Sequence, residues 1–341
     1  MERRNKWALA IILLIGASVF FWEFRSLTLH EIMVEFRQIQ WSWIIVAIAC
    51  MLFQWAVEAK IVQGLLEREN FSYSFKKSYR IPLIQHLFNS ITPFASGGQP
   101  AQLVALKQTG VDIGIGSSVL LMKFVVYQGM IVVYFGLCVL LRYHVLVTEI
   151  SRLAFFVILG LVTHILVIAV LLLITFKVNL TKKIVHWLMI IVSIFMNKEK
   201  ARLLEEDIVL KVDSFYHESL YIRGQTLLLL KTALLTAVQL AGYFIVPYFI
   251  LLSLGIKDMD IITIICMHAF IVMIVSLFPI PGGSGGAEYS FTLLFGSFIL
   301  SPEKLAIALL LWRLITYYLG ILLGAVALGV TGDSKNVKDN A

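Results

Sequence analysis

Charge is scarce in this sequence. Asp, Glu, Lys and Arg make up 14% of its 341 residues, where a soluble domain carries about 25%. That is too little polar surface to wrap a water-soluble globule of this size. Cysteine is scarcer still: Cys50, Cys138 and Cys266 each lie inside an apolar run, and no CxxC or Cys/His spacing is present. This excludes a disulfide framework and a zinc site, and leaves the three as small buried hydrophobes. No strand precedes the glycines of GVDIGIGSS (110–118), so they do not form a nucleotide-binding loop, and no Ser/His/Asp hydrolase signature appears. Without an ATP site, any transport would run on a gradient or downhill, and the residues call for neither cofactor nor metal. The formal net charge is +7, but the basic residues flank apolar runs. They report topology and contact with anionic lipid, not nucleic acid.

What the chain has instead is apolar length: 60% of residues are hydrophobic and the mean hydropathy is +0.89. A helix needs roughly 20 apolar residues to cross a bilayer. Full spans are expected at 8–22, 41–57, 115–141, 153–176, 226–252 and 303–330. The first resembles a signal peptide, but it has no small-x-small cleavage site and is bracketed by Trp7 and Trp22, so it reads as a retained span. Two further apolar regions, 79–107 and 259–299, are interrupted by Pro and Gly. The long polar connection 177–225 divides into an interfacial amphipathic helix (182–196) and a second helix with Leu204, Ile208, Val212 and Phe215 on one face.

The two interrupted regions share a motif, Pro-x-x-Ser-Gly-Gly. It occurs as Pro93, Ser96, Gly97, Gly98 and, 188 residues on, as Pro281, Ser284, Gly285, Gly286. The same offset carries 41–57 to 229–245 and 115–141 to 303–329. The expected fold is therefore an all-α polytopic membrane domain over 1–341. It has six full spans and two re-entrant helical hairpins, arranged as repeats over about 41–141 and 229–329. With the N-terminus in the cytoplasm, the cytoplasmic segments hold 19 Lys/Arg and the outer loops six. This predicts cytoplasmic termini, a cell-membrane location and an inverted relation between the repeats.

Irregular backbone at membrane depth is tolerated only where it is buried in protein or lines a cavity. After each turn a short helix is expected to begin, with Pro100 in its first turn and Gln99/Gln102 as a weak capping pair in one copy. In the other copy Gly285 and Glu288 have capping-box spacing. Free N–H groups at two such helix ends, approached across glycines, would form an anion site. Lys123 and Arg313 lie deep in the two closing spans, with snorkelling or pairing to a carboxylate as the alternative to a ligand role. Glu288 either couples a proton or cation or simply caps its helix. His86 and His268 either relay protons or are satisfied structural residues, and His164 is the weaker candidate. Gln85, Asn89 and Thr92 give the first hairpin a polar side. The candidate substrate-binding set is Thr92, Ser96, Gly97, Gly98, Gln99, Gln102, Lys123, Ser284, Gly285, Gly286, Glu288 and Arg313, with no catalytic or metal-binding residue.

FNSITPFASGGQPAQL (88–103) and FPIPGGSGGAEYSF (278–291) resemble the two signature segments of the lysylphosphatidylglycerol synthase transmembrane family. The resemblance covers nearly the whole chain. It implies movement of lipids or lipid-linked sugars between leaflets. By position it points to Thr92, Pro93, Gly97, Gly98, Gln99 and Pro100, then to Pro281, Gly282, Gly283, Gly285, Gly286 and Glu288. The soluble domain that uses aminoacyl-tRNA in the full-length enzyme does not follow the last span. The expectation is therefore a flippase-like transporter and not an enzyme, with a membrane phospholipid or lipid-linked substrate as partner. A homo-oligomer is compatible with it. The alternatives are a lysyl-tRNA-dependent lipid transferase and a non-transporting scaffold in envelope synthesis.

Overall fold

The computed structural model describes residues 29–67, 72–148, 154–195 and 197–329. The expected span 8–22 and both termini lie outside these residues. The described chain is all helix, joined by turns. In chain order the helices are α1 (Leu29–Arg37), α2 (Trp41–Leu66), α3 (Phe75–Ile91), α4 (Gly98–Gln108), α5 (Ile113–Thr148), α6 (Ala154–Phe176), α7 (Val178–Phe195) and α8 (Lys198–Arg223). They continue as α9 (Thr226–Phe244), α10 (Val246–Ser253), α11 (Ile261–Val275), α12 (Gly286–Gly296), α13 (Pro302–Arg313) and α14 (Leu319–Gly329). Among the described residues five segments are long and apolar enough to cross a membrane: Trp41–Leu66, Ile113–Arg142, Ala154–Leu173, Thr226–Ser253 and Pro302–Gly329. This is a polytopic helical membrane protein.

Local chemistry sets the breaks. Pro247 in the first turn of α10 ends α9 at Phe244 without ending the span. Asp260 caps α11 by accepting from the Thr263 N–H at 2.8 Å, and Ser301 caps α13 through the Lys304 N–H at 3.2 Å. A π-helical turn, Leu314–Tyr318, joins α13 to α14. Turns of this kind concentrate at functional sites.

Two spans mark the extremes of burial. The apolar window in Pro302–Gly329 is 72% buried and that in Ala154–Leu173 only 17%, so the last span is central and α6 is at the perimeter. Phe155, Ile158, Val162, Ile165 and Leu166 of α6 are exposed, and a helix this apolar at a surface faces lipid. In the polar connection, α7 pairs its charged side with α8 (Lys182 Nζ to Asp213 Oδ2 at 2.7 Å, His186 to Glu205 at 2.7 Å). Its apolar stripe of Ile184, Trp187, Leu188 and Ile191 is left exposed, as an interfacial helix requires.

Residues that the 188-residue offset equates fall in like elements. The turn Pro93–Ala95 maps onto Pro281–Gly283, and α4 onto α12, with no slip in the boundaries. The helices before each turn lean on the other copy's closing span. α3 is strapped to the last span by Arg80, which donates through Nε and Nη2 to the Ala327 carbonyl at 3.2 and 3.1 Å. His86 Nε2 meets the Thr316 carbonyl at 3.1 Å, and the Tyr317 hydroxyl donates to the Ser90 carbonyl at 3.0 Å. α11 is strapped to α5 by Arg142, which reaches Asp260 at 2.6 Å and Thr263 Oγ1 at 3.0 Å.

The Arg142 hydrogen bond holds the Asp260 carboxyl below the usual carboxylate range. A carboxylate whose folded-state pKa is depressed stabilises the fold above its unfolded pKa of roughly 3.9, and that contribution is lost as pH falls through the folded value. Melting of the detergent-solubilised protein is therefore expected to be flat from neutral pH to about pH 5 and to decline below pH 4. Asp260→Asn should remove its share of that decline. Identical acid slopes for wild type and variant would show that the strap contributes nothing.

Candidate functional site

The two turns touch each other and flank a cavity of about 670 Å³ within the bundle. Both turns use left-handed backbone. Gly282 and Gly283 have φ of 65° and 60°, and the residues the offset equates with them, Phe94 and Ala95, have φ of 52° and 51°. Glycine adopts this region freely, whereas an L side chain there costs roughly 1–2 kcal/mol. Ala95→Gly is expected to relieve that strain and raise stability by up to about 1 kcal/mol, seen as a higher melting temperature. No rise would mean the loop relaxes in solution. Phe94 is 64% exposed at the tip and lines the cavity mouth with Ile280.

Buried amides need partners, and those next to the turns have them. Thr92 Oγ1 accepts from the Gly97 N–H at 2.8 Å while donating to the Phe88 carbonyl at 2.7 Å. Asn89 Oδ1 accepts from the Gly98 N–H at 3.0 Å. In the second copy Glu288 Oε2 accepts from the Gly285 N–H at 2.7 Å, which is the helix cap its spacing suggested. The expectation of free N–H groups is corrected at these three positions: side chains of the same chain occupy them. The Gln99/Gln102 capping pair is not formed. α4 already begins at Gly98 with Pro100 at its third position, and Gln102 turns inward to Gln85 and Lys123. Cβ atoms at Gly97, Gly98 and Gly286 would strike Thr92, Asn89 and Phe278, so the need for glycine there is met by close packing within the chain.

Of the candidate residues, Ser96, Gln99, Lys123 and Arg313 line the cavity. Thr92, Gly97, Gly98, Gln102, Ser284, Gly285, Gly286 and Glu288 stand behind its wall. Ser96 and Ser284 each donate back to the proline that opens their turn, at 2.9 and 3.2 Å. Lys123 Nζ donates to Glu58 Oε1 at 2.6 Å, Gln85 Oε1 at 2.8 Å and Gln102 Oε1 at 3.2 Å, which uses all three ammonium donors. Glu58 Oε2 also accepts from Gln239 at 3.1 Å. This buried network ties α2, α3, α4, α5 and α9 together.

Arg313 is held differently. Its Nε donates to Glu288 Oε1 at 2.7 Å and its Nη1 to the Gly282 carbonyl at 3.2 Å. Nη2 sits 2.7 Å from the same carboxylate oxygen. It makes no properly directed hydrogen bond, so the contact is electrostatic. A guanidinium has five N–H donors, and two are engaged. Trp312 and Tyr317 flank it, with ring centres 5.2 and 5.1 Å from Cζ. Each cation thus has its own carboxylate, and the two pairs cancel in charge.

Both ring nitrogens of His268 are engaged: Nε2 accepts from the Trp312 indole at 3.1 Å and Nδ1 faces the Phe244 carbonyl at 3.3 Å. It is a neutral, structural residue. His86 and His164 line the cavity. Sequence reading missed Glu58, Gln54, Gln128 and Gln239. The available signal was the i, i+4 pair Gln54 and Glu58 inside a pattern that stays helical to Leu66.

A bundle of membrane-spanning helices enclosing a polar cavity beside paired glycine turns defines an integral membrane protein with an internal site. The family pattern described as the lysylphosphatidylglycerol synthase TM region matches residues 7–324, and the chain belongs to that family. It is also similar to a UPF0104 membrane protein of Archaeoglobus fulgidus. The two are 27% identical over 302 residues, which cover 84% of this chain and 86% of the relative.

Proposed function

We propose that this protein moves a lipid with a phosphate-bearing headgroup between the leaflets of the cell membrane. The headgroup occupies the cavity between the turns while the acyl chains remain outside. The observation that carries the reading is Arg313: a buried cation beside the meeting point of both turns, with N–H donors that no protein group uses. Phosphate oxygens match such a fork. Lys123, with every donor already engaged, acts chiefly by holding Glu58 and the first hairpin in place. The exposed apolar residues at the mouth, Phe94 and Ile280, suit the glycerol–acyl boundary of a lipid. The family adds support, being the membrane region of proteins that act on lipid.

In this reading the hairpins are re-entrant, the repeats are inverted, both termini are cytoplasmic, and the site is exposed to each side in turn. Arg313→Gln is expected to slow translocation of a fluorescent phospholipid in proteoliposomes by at least about tenfold, the value of a hydrogen bond to a charged group. Equal rates for the folded variant and wild type would overturn the proposal.

A further inference from the structure

Away from Arg313, the cavity wall is built from neutral amides. Gln54 of α2, Gln99 of α4 and Gln128 of α5 line it, with His164 of α6 beside Gln128. Gln54, Gln128 and His164 are each 6% exposed. Among the described residues, the side chains of Gln54 and Gln99 make no hydrogen bond, and Gln128 makes one, with His164. His164 Nδ1 lies 3.3 Å from Gln128 Oε1. An amide oxygen only accepts, so with the amide in this orientation the ring proton is on Nδ1 and Nε2 presents a lone pair. Nε2 is buried without a partner and is shielded from water in this conformation, so its partner arrives with a small turn of the neighbouring side chains. Buried polar groups without partners are costly, and here several share one wall.

What these groups lack is a donor. The free amide oxygens of Gln54 and Gln99 and the His164 lone pair all accept. Phosphate ester oxygens accept too, and would leave them unsatisfied. An ammonium donates but brings a charge, and Glu58 and Glu288 are already paired to Lys123 at 2.6 Å and to Arg313 at 2.7 Å. A hydroxyl donates, accepts and brings no charge. The adjacent N–H and C=O of one amide match two neighbouring hydroxyls, and the half-buried rings of Tyr127 and Tyr243 line the same space.

We propose that the cavity selects a hydroxyl-rich headgroup, a glycerol or sugar unit, whose hydroxyls bond to Gln54, Gln99, Gln128 and His164. The proposal rests on the reading of the cavity as a lipid-headgroup site and names the chemistry it selects. Native mass spectrometry of the purified full chain tests it with four probes: phosphatidic acid, phosphatidylethanolamine, phosphatidylglycerol and a phosphate-free monoglucosyl diacylglycerol. Phosphatidylglycerol and the glucosyl lipid are expected to bind at least about tenfold more tightly than the other two, since a site built to bond hydroxyls rejects ligands lacking them. Gln54→Leu with Gln128→Leu should abolish that preference. Gln99→Leu, at the half-exposed rim, is measured if the double variant is not monodisperse.

The proposal is overturned if phosphatidic acid or phosphatidylethanolamine binds wild type as tightly as phosphatidylglycerol, or if the amide variants keep the preference. Arg313→Gln separates the two readings. It should weaken the phosphate lipids and spare the glucosyl lipid. Should it do so while the amide variants change nothing, the hydroxyl selection falls and the lipid site stands. Should it change no lipid, the site itself falls and the selection with it.

Discussion

Glu58→Leu is expected to be the most damaging single substitution in the protein, costing about 3–5 kcal/mol, the usual penalty for stranding one member of a buried ion pair. Lys123 is 5% exposed and Glu58 8%. Removing the carboxylate leaves an ammonium with two glutamine oxygens and no counter-charge, and it also frees the Gln239 amide that bridges to α9. The expected readout is a large drop in melting temperature and loss of the monodisperse peak. Pairing Glu58→Gln with Lys123→Met removes both charges and should recover most of the loss, because a neutral buried replacement is often as stable as the pair. If the double variant melts no higher than Glu58→Leu, the charges are not what makes the site fragile.

Gly324→Val is the second large effect. A Cβ at Gly324 would lie 2.5 Å from the Leu83 carbonyl oxygen and 2.6 Å from Leu87 Cβ. The first of these is backbone, so α14 must move away from α3, pulling on the Arg80, His86 and Tyr317 straps. Overpacking of this kind costs about 1–3 kcal/mol, and the three strained hydrogen bonds add to it. Gly129→Ala is the control. Nothing lies within 4 Å of its Cβ position, and exchanging glycine for alanine inside a helix gains up to about 1 kcal/mol. Melting curves of the two variants should move in opposite directions. If Gly324→Val melts with wild type, the helices have more room than their coordinates show.

Much of the architecture is legible in the residues because bilayer physics is local: apolar length places Trp41–Leu66, Ile113–Arg142, Ala154–Leu173, Thr226–Ser253 and Pro302–Gly329. Pro-x-x-Ser-Gly-Gly placed both turns at Pro93 and Pro281, since left-handed backbone and helix starts leave strong marks. What stayed hidden is long-range. The expected span 41–57 stopped at Glu58 because a charge looks like an end, but its partner Lys123 is 65 residues away and the helix runs on to Leu66. Likewise, open amides seemed natural beside glycines. Their occupation by Thr92, Asn89 and Glu288 depends on rotamers that no spacing rule encodes. Arg313 and Glu288 could each be picked out from sequence, but not that they meet, nor that the guanidinium keeps donors in reserve.

The crossed straps also dictate an order of events during synthesis. His86, Ser90 and Arg80 find partners 230, 227 and 247 residues further along the chain. The ribosome therefore delivers the first hairpin long before the helix that completes it. Until then α3 waits with its Gly324-facing surface uncovered in lipid. Closure of the site is a late step, made by the last span arriving at the centre of a ring already assembled around its place.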